Sequence, residues 1–186
     1  HADSPIVRLG CTPARPAALP RALEAIANAD LIVLGPGSLY TSLLPNLLVP
    51  QLVEAIGRSS APRLYICNLM TQPGETDGLD VGGHLRAIEA QLATHGVQGR
   101  LFDAVLAQDS LARGPELDYY LAKGAEPVRC NGAALKAQGY KVMLASMQGS
   151  GQRSEGRASK GTLRHEPRNL ALAVMRYYRS TKRAAQ

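Results

Sequence analysis

Apolar and polar positions alternate along the chain in two periods, and the switches between them mark its elements. Ala17 to Asn28 carries Leu19, Leu23 and Ile26 at helical spacing, which predicts a helix over 17–28. Leu31 to Leu34 is a short continuous apolar run. It predicts a strand over 30–35, buried on both faces and stopped by Gly35-Pro36-Gly37. Residues 43–50 hold two prolines and predict only a turn or two. Pro50 then suits the first position of a helix over 50–58. Further strands are predicted at 63–69, 102–107 and 140–145. Helices are predicted at 81–95, capped by Asp80, and at 116–122, 133–138 and 167–181. Leu170, Val174 and Tyr177/Tyr178 form the expected buried stripe of the last helix. Short strands are expected at 6–9 and near 124–128. Residues 147–162, rich in Gly, Ser and Arg, read as a mobile basic loop. Strand–helix alternation with continuous apolar strands predicts a single α/β domain over 1–186. Its sheet should be mostly parallel, with helices on both faces.

Composition narrows the function classes. The chain has 186 residues, 45% of them hydrophobic, enough for one real core. No window reaches membrane-spanning length, so no membrane insertion is expected. The opening HADSPIVRLG lacks a signal peptide's basic and apolar regions and reads as the middle of a longer protein. Cys11, Cys67 and Cys130 are odd in number and far apart. They predict neither a disulfide framework nor a zinc site, and reduced thiols are the default expectation. The net charge of +6 is uneven: residues 151–186 hold nine Lys/Arg against two Asp/Glu, while the rest is nearly balanced. That weakens a general nucleic-acid reading and allows either a local anionic ligand or a solvated basic end. An anion or nucleic-acid binder working through the basic C-terminal segment is the alternative that the charge alone allows.

In a parallel sheet, ligands bind beyond the carboxyl ends of the strands. Two polar loops fall there, 35–42 and 68–78. In the first, Gly35 and Gly37 could offer backbone N–H groups to a phosphate. Ser38, Thr41 and Ser42 add hydroxyls. The competing reading is a strand-to-helix turn with Ser/Thr capping. His84 and His95 read as surface residues. No Cys/His or carboxylate spacing predicts a metal, and no GxSxG or close Cys/His pair predicts a nucleophile.

GPGSLYTSLLPNLLV (35–49) followed by YICNLMTQPGET (65–76) closely resembles the gluconeogenesis factor family, the YvcK-like branch of the group that also holds CofD-like 2-phospho-L-lactate transferases. DYYLAKGAEPV (118–128) and LRHEP (163–167) fit the same pattern. The resemblance implies a cytoplasmic protein, often dimeric, with a Rossmann-like three-layer fold. It implies binding of a nucleotide-sugar such as UDP-N-acetylglucosamine, and a role in cell shape and envelope synthesis on gluconeogenic carbon sources. It implies no established reaction and no cofactor beyond that UDP-sugar. The transferase branch uses a guanine nucleotide-activated substrate and Mg. It carries Ser-Asn-Pro where this chain has Gly37-Ser38-Leu39, so the resemblance favours the non-transferase side. The family's N-terminal Gly-rich unit has no counterpart here, so the sheet is expected to lack it.

The resemblance places the diphosphate over Gly35, Gly37, Ser38, Thr41 and Ser42. Asn46 either bonds a sugar or holds its loop. Asn68 either bonds the ligand or ties two loops together. Thr71, Glu75 and Thr76 would meet ribose or sugar hydroxyls. Glu75 could otherwise serve a transferase as base or metal ligand, or pin the loop. Tyr120 could stack on a base or belong to the core. Arg164 could grip the diphosphate or remain surface charge.

Overall fold

The computed structural model of the chain describes residue 6 and residues 8–149 and 163–184. Its centre is a four-stranded, all-parallel sheet of β1 (Ile32–Leu34), β2 (Arg63–Ile66), β3 (Ala104–Gln108) and β4 (Lys141–Ala145), ordered as in the sequence. Between the strands run a π-helical turn (Leu39–Leu43), α2 (Leu44–Leu47), α3 (Pro50–Arg58), α4 (Val81–Ala93), α5 (Pro115–Leu121) and α6 (Gly132–Ala137). α1 (Pro20–Ala27) precedes β1. A two-residue antiparallel pair, β5 (Gln148–Gly149) with β6 (Arg164–His165), leads to α7 (Pro167–Ala184).

Strand alternation sorts the core into two layers. Tyr65, Cys67, Val105 and Ala107 point to one face, where Leu44 and Leu47 of α2, Val53 of α3, Leu85, Ile88 and Leu92 of α4 and Leu135 of α6 cover them. Leu64, Ile66, Ala104 and Leu106 point to the other. There Ala173 and Tyr177 of α7 meet Met147, Leu163 and Ala125. Each fully buried side chain of this size is worth about 1.5–3 kcal/mol. The crossover helices α2, α3, α4 and α6 thus share one face, as consecutive parallel crossovers of one hand require. The opposite face is covered by α7, which arrives from the far end of the chain.

Several boundaries follow the pattern closely. α3 matches its predicted span, Asp80 Oδ1 accepts the Gly83 amide at 2.6 Å to cap α4, and Gly139 takes φ +86° just beyond α6. Others differ. β1 is an edge strand of the described sheet, and Val33 remains 40% exposed on the α7 side, so the run is not buried on both faces. Residues 39–47 are continuously helical rather than a broken turn. Pro45 sits in the first turn of α2, where its missing N–H costs nothing. Arg8 and Leu9 form no strand, and near 124–128 there is one isolated bridge, Met70 to Pro127. His84 is fully buried, not a surface residue. It lies on the apolar face of α4, and its Nδ1 is 2.9 Å from the Asp80 carbonyl oxygen. Within the expected 147–162 loop, 148–149 form β5, and 150–162 lie outside the described residues. No helix among the described residues is long and apolar enough to cross a membrane.

Candidate functional site

β1 and β2 are parallel neighbours and end side by side, Leu34 opposite Tyr65. The Gly35-Pro36 peptide is cis, and Gly35 has φ +92°. A Cβ there would lie 2.5 Å from the Ile66 carbonyl oxygen, so only glycine lets the two strand ends approach this closely. Two positions on, the Gly37 amide donates to Asn68 Oδ1 at 3.1 Å, and Asn68 Nδ2 donates to the Gly37 carbonyl at 2.9 Å. Of the two readings of Asn68, the geometry is that of the loop tie.

The hydroxyls beyond Gly37 form a chain. Thr41 Oγ1 donates to Ser38 Oγ at 2.6 Å, and Ser38 Oγ donates to Glu75 Oε2 at 2.7 Å. Ser38 Oγ also accepts from the Thr41 amide at 3.4 Å. The Thr41 proton is thus taken by Ser38, and the Ser38 proton by the Glu75 carboxylate. Among the described residues, the Leu39 and Tyr40 amides at the first helical turn have no acceptor. Tyr40 stands close enough to Glu75 for that charge, together with burial, to raise its phenol above the ordinary range.

The second loop is pinned from within. The Gln72 amide donates to Thr76 Oγ1 at 2.8 Å, and Thr76 is fully buried. Thr71, also buried, donates its amide to the Glu126 carbonyl at 2.7 Å and accepts the Glu126 amide on Oγ1 at 2.8 Å. Thr71 and Thr76 thus shape the loop, while Glu75 reaches across to Ser38.

A two-lobed cleft opens between these loops and the β5–β6 pair. One lobe, about 340 Å³, is lined by Pro36, Gly37, Ser38, Asn68, Gln72, Leu163, Arg164 and His165. The other, about 260 Å³, shares Asn68, Gln72, Leu163 and His165 and adds Leu69, Met70, Thr71 and Tyr120. Tyr120 is half-buried, with its hydroxyl 3.4 Å from the Leu163 carbonyl. His165 Nε2 lies 3.3 Å from the Cys67 carbonyl oxygen, which joins β6 to the end of β2. Burial holds the His165 imidazole below its ordinary pKa, against the opposing pull of that carbonyl. Burial also pushes the Cys67 thiol up to about 12, so it stays protonated and unreactive.

The fold therefore brings Gly37, Ser38, Asn68, Thr71, Tyr120 and Arg164 to one cleft, with Thr41 and Glu75 joined to it through Ser38. Gly35 lies behind it against Ile66. Ser42 and Asn46 are exposed and bonded to each other, Asn46 Nδ2 donating to the Ser42 carbonyl at 2.7 Å. Sequence reasoning missed Pro36, Gln72, Leu163 and His165. In LRHEP the sequence sets His165 beside Arg164, but only the guanidinium suggests a role there. Among the described residues no group of three or more His, Cys, Asp or Glu could hold a metal ion.

The family model described as 2-phospho-L-lactate transferase CofD matches residues 1–148. A putative gluconeogenesis factor from Nostoc sp. is 42% identical over 177 residues, covering 95% of this chain and 36% of that protein. Gluconeogenesis factors from Halalkalibacterium halodurans and Bacillus subtilis are 46% and 38% identical over 138 residues, 41% and 42% of their lengths. A crystal structure of a Bacillus halodurans protein superposes with TM-score 0.80 at 37% identity, covering 94% of this chain and 52% of that one. The chain spans about a third to a half of the length of these relatives. It belongs to the CofD family, and the named relatives place it beside the gluconeogenesis factors of that family.

Proposed function

We propose that the cleft binds a nucleotide-sugar of the UDP-N-acetylglucosamine kind. In this reading the chain works as part of a cytoplasmic regulator of cell shape and envelope synthesis during growth on gluconeogenic carbon sources. One observation carries the reading: the Pro36–Ser38 turn and the Leu163–His165 segment face each other across the ends of β1 and β2. The diphosphate lies between the Pro36–Ser38 turn and the Arg164 guanidinium, whose fork matches phosphate oxygens. The sugar or base occupies the lobe beneath Tyr120. Ser38 gives its proton to Glu75 and Thr41 gives its proton to Ser38, so Arg164, rather than these hydroxyls, meets the anion. Calorimetric titration with UDP-N-acetylglucosamine, UDP-glucose and UDP tests this. A saturable one-to-one isotherm is expected, and an inert titration with all three would contradict the reading.

A second reading is supported by the family description itself, a 2-phospho-L-lactate transferase. Under it, Glu75 would act beside Ser38 as a base or with Mg on a guanine nucleotide-activated substrate. Product formed from a deazaflavin acceptor in the presence of Mg would decide for it, and absence of product leaves the binding role.

A further inference from the structure

His165 is a cleft residue whose hydrogen-bonding character is set by a contact outside the ligand space. Its Nε2 faces the Cys67 carbonyl oxygen at 3.3 Å. A carbonyl only accepts, so Nε2 carries the proton. Burial disfavours a second proton on the ring, and Nδ1 is left with a lone pair. Among the described residues Nδ1 has no protein partner. His165 stands at the junction of the two lobes and lines both. Gln72 lines the same junction, and its Oε1 is a buried acceptor with no partner among the described residues. The Asn68 amide, which could have supplied a donor, is spent on Gly37. The groups around the ring are Arg164 and Glu166 on its own segment, the Cys67 thiol at the end of β2, and the Tyr120 phenol in the smaller lobe. None places a carboxylate in the cleft to recharge the imidazole.

We propose that His165 is a specificity-determining residue whose Nδ1 accepts an N–H from the uncharged part of the ligand, the imide of a uracil or the acetamido group of an N-acetyl sugar. A phosphate oxygen is an acceptor only and would face a lone pair, so the diphosphate does not sit against this ring. The inference rests on the nucleotide-sugar reading and assigns the junction between the lobes to the neutral moiety.

Two measurements test it. Long-range 15N–1H NMR of the ligand-free protein at neutral pH should show the Nε2–H tautomer of His165. The Nδ1–H tautomer or an imidazolium would overturn the inference. Calorimetry of His165→Phe should show at least a tenfold loss of affinity for UDP-N-acetylglucosamine. His165→Asn, which keeps an acceptor near the Nδ1 position, should stay within about threefold of wild type. Thermal unfolding without ligand checks that both variants fold. If the loss in His165→Phe is confined to UDP-N-acetylglucosamine and spares UDP-glucose, the acetamido group is the donor. If UDP-glucose suffers equally and N3-methylated UDP binds wild type weakly, the uracil imide is. Wild-type binding left unchanged by His165→Phe would overturn this inference alone. Wild-type protein silent to every UDP compound would overturn the nucleotide-sugar reading itself.

Discussion

The Pro36–Ser38 wall of the cleft and the Leu163–His165 wall differ in what holds them. The first is tied to the β2 loop by the paired Gly37–Asn68 bonds, by Gly35 against Ile66 and by Ser38 to Glu75, all within forty residues of sequence. The second is held by a two-residue strand pair, by the Tyr120 hydroxyl on the Leu163 carbonyl and by a ring-to-carbonyl contact spanning 98 residues. It is anchored further by Met147, whose amide donates to Gln108 Oε1 at 2.7 Å and whose carbonyl accepts the Glu166 amide at 2.7 Å. In the proposed reading, the dense local wall fixes where the diphosphate lies, and the sparsely held wall brings Arg164 to it and His165 to the group attached.

That asymmetry can be broken from either side. Gly35→Ala should be the most damaging change, because it combines a positive φ with overlap onto a backbone carbonyl. A loss of about 3 kcal/mol or more is expected in urea unfolding. Asn68→Ala removes two part-buried bonds and leaves both Gly37 backbone groups unpaired. It should cost about 2 kcal/mol and weaken ligand binding. Gln108→Ala releases the other wall. It should cost only about 1 kcal/mol, while hydrogen exchange at the Glu166 amide accelerates and the Gly37 amide is untouched.

A smaller effect comes from pH. His84 is buried, its Nδ1 is held by the Asp80 carbonyl and its Nε2 has no partner among the described residues. Burial lowers its folded pKa below the ordinary 6.5. The unfolded chain therefore binds the proton more readily, and stability should be full above about 6.5 and fall as pH drops below it. His84→Gln should show a shallower fall when unfolding is followed across that range.

Much of this fold was legible because the signals are local. Pro50 and the Leu52, Val53 and Ile56 face define α3 within nine residues. Asp80 announces α4, and the apolar runs of β2 and β3 leave no other period. The first wall was legible for the same reason, since Gly-Pro-Gly-Ser marks its own turn. The second wall was not. β5 and β6 are too short to carry a period, and their partners are fixed by tertiary contacts that no spacing encodes. His84 was readable in principle: it stands three residues after Val81 and four before Ile88, on the apolar face of α4. Its polarity alone argued for the surface, and the Asp80 carbonyl is what makes burial tolerable.

The nucleotide-sugar of the proposed function would bind in the cleft between Pro36–Ser38 and Leu163–His165. An amide chemical-shift titration of the 15N-labelled chain with UDP-N-acetylglucosamine tests it most directly. Saturable shifts are expected at Gly37, Ser38, Gln72, Arg164 and His165. No shift at saturating ligand, or shifts confined to Arg176, Arg179 and Arg183 on α7, would contradict it.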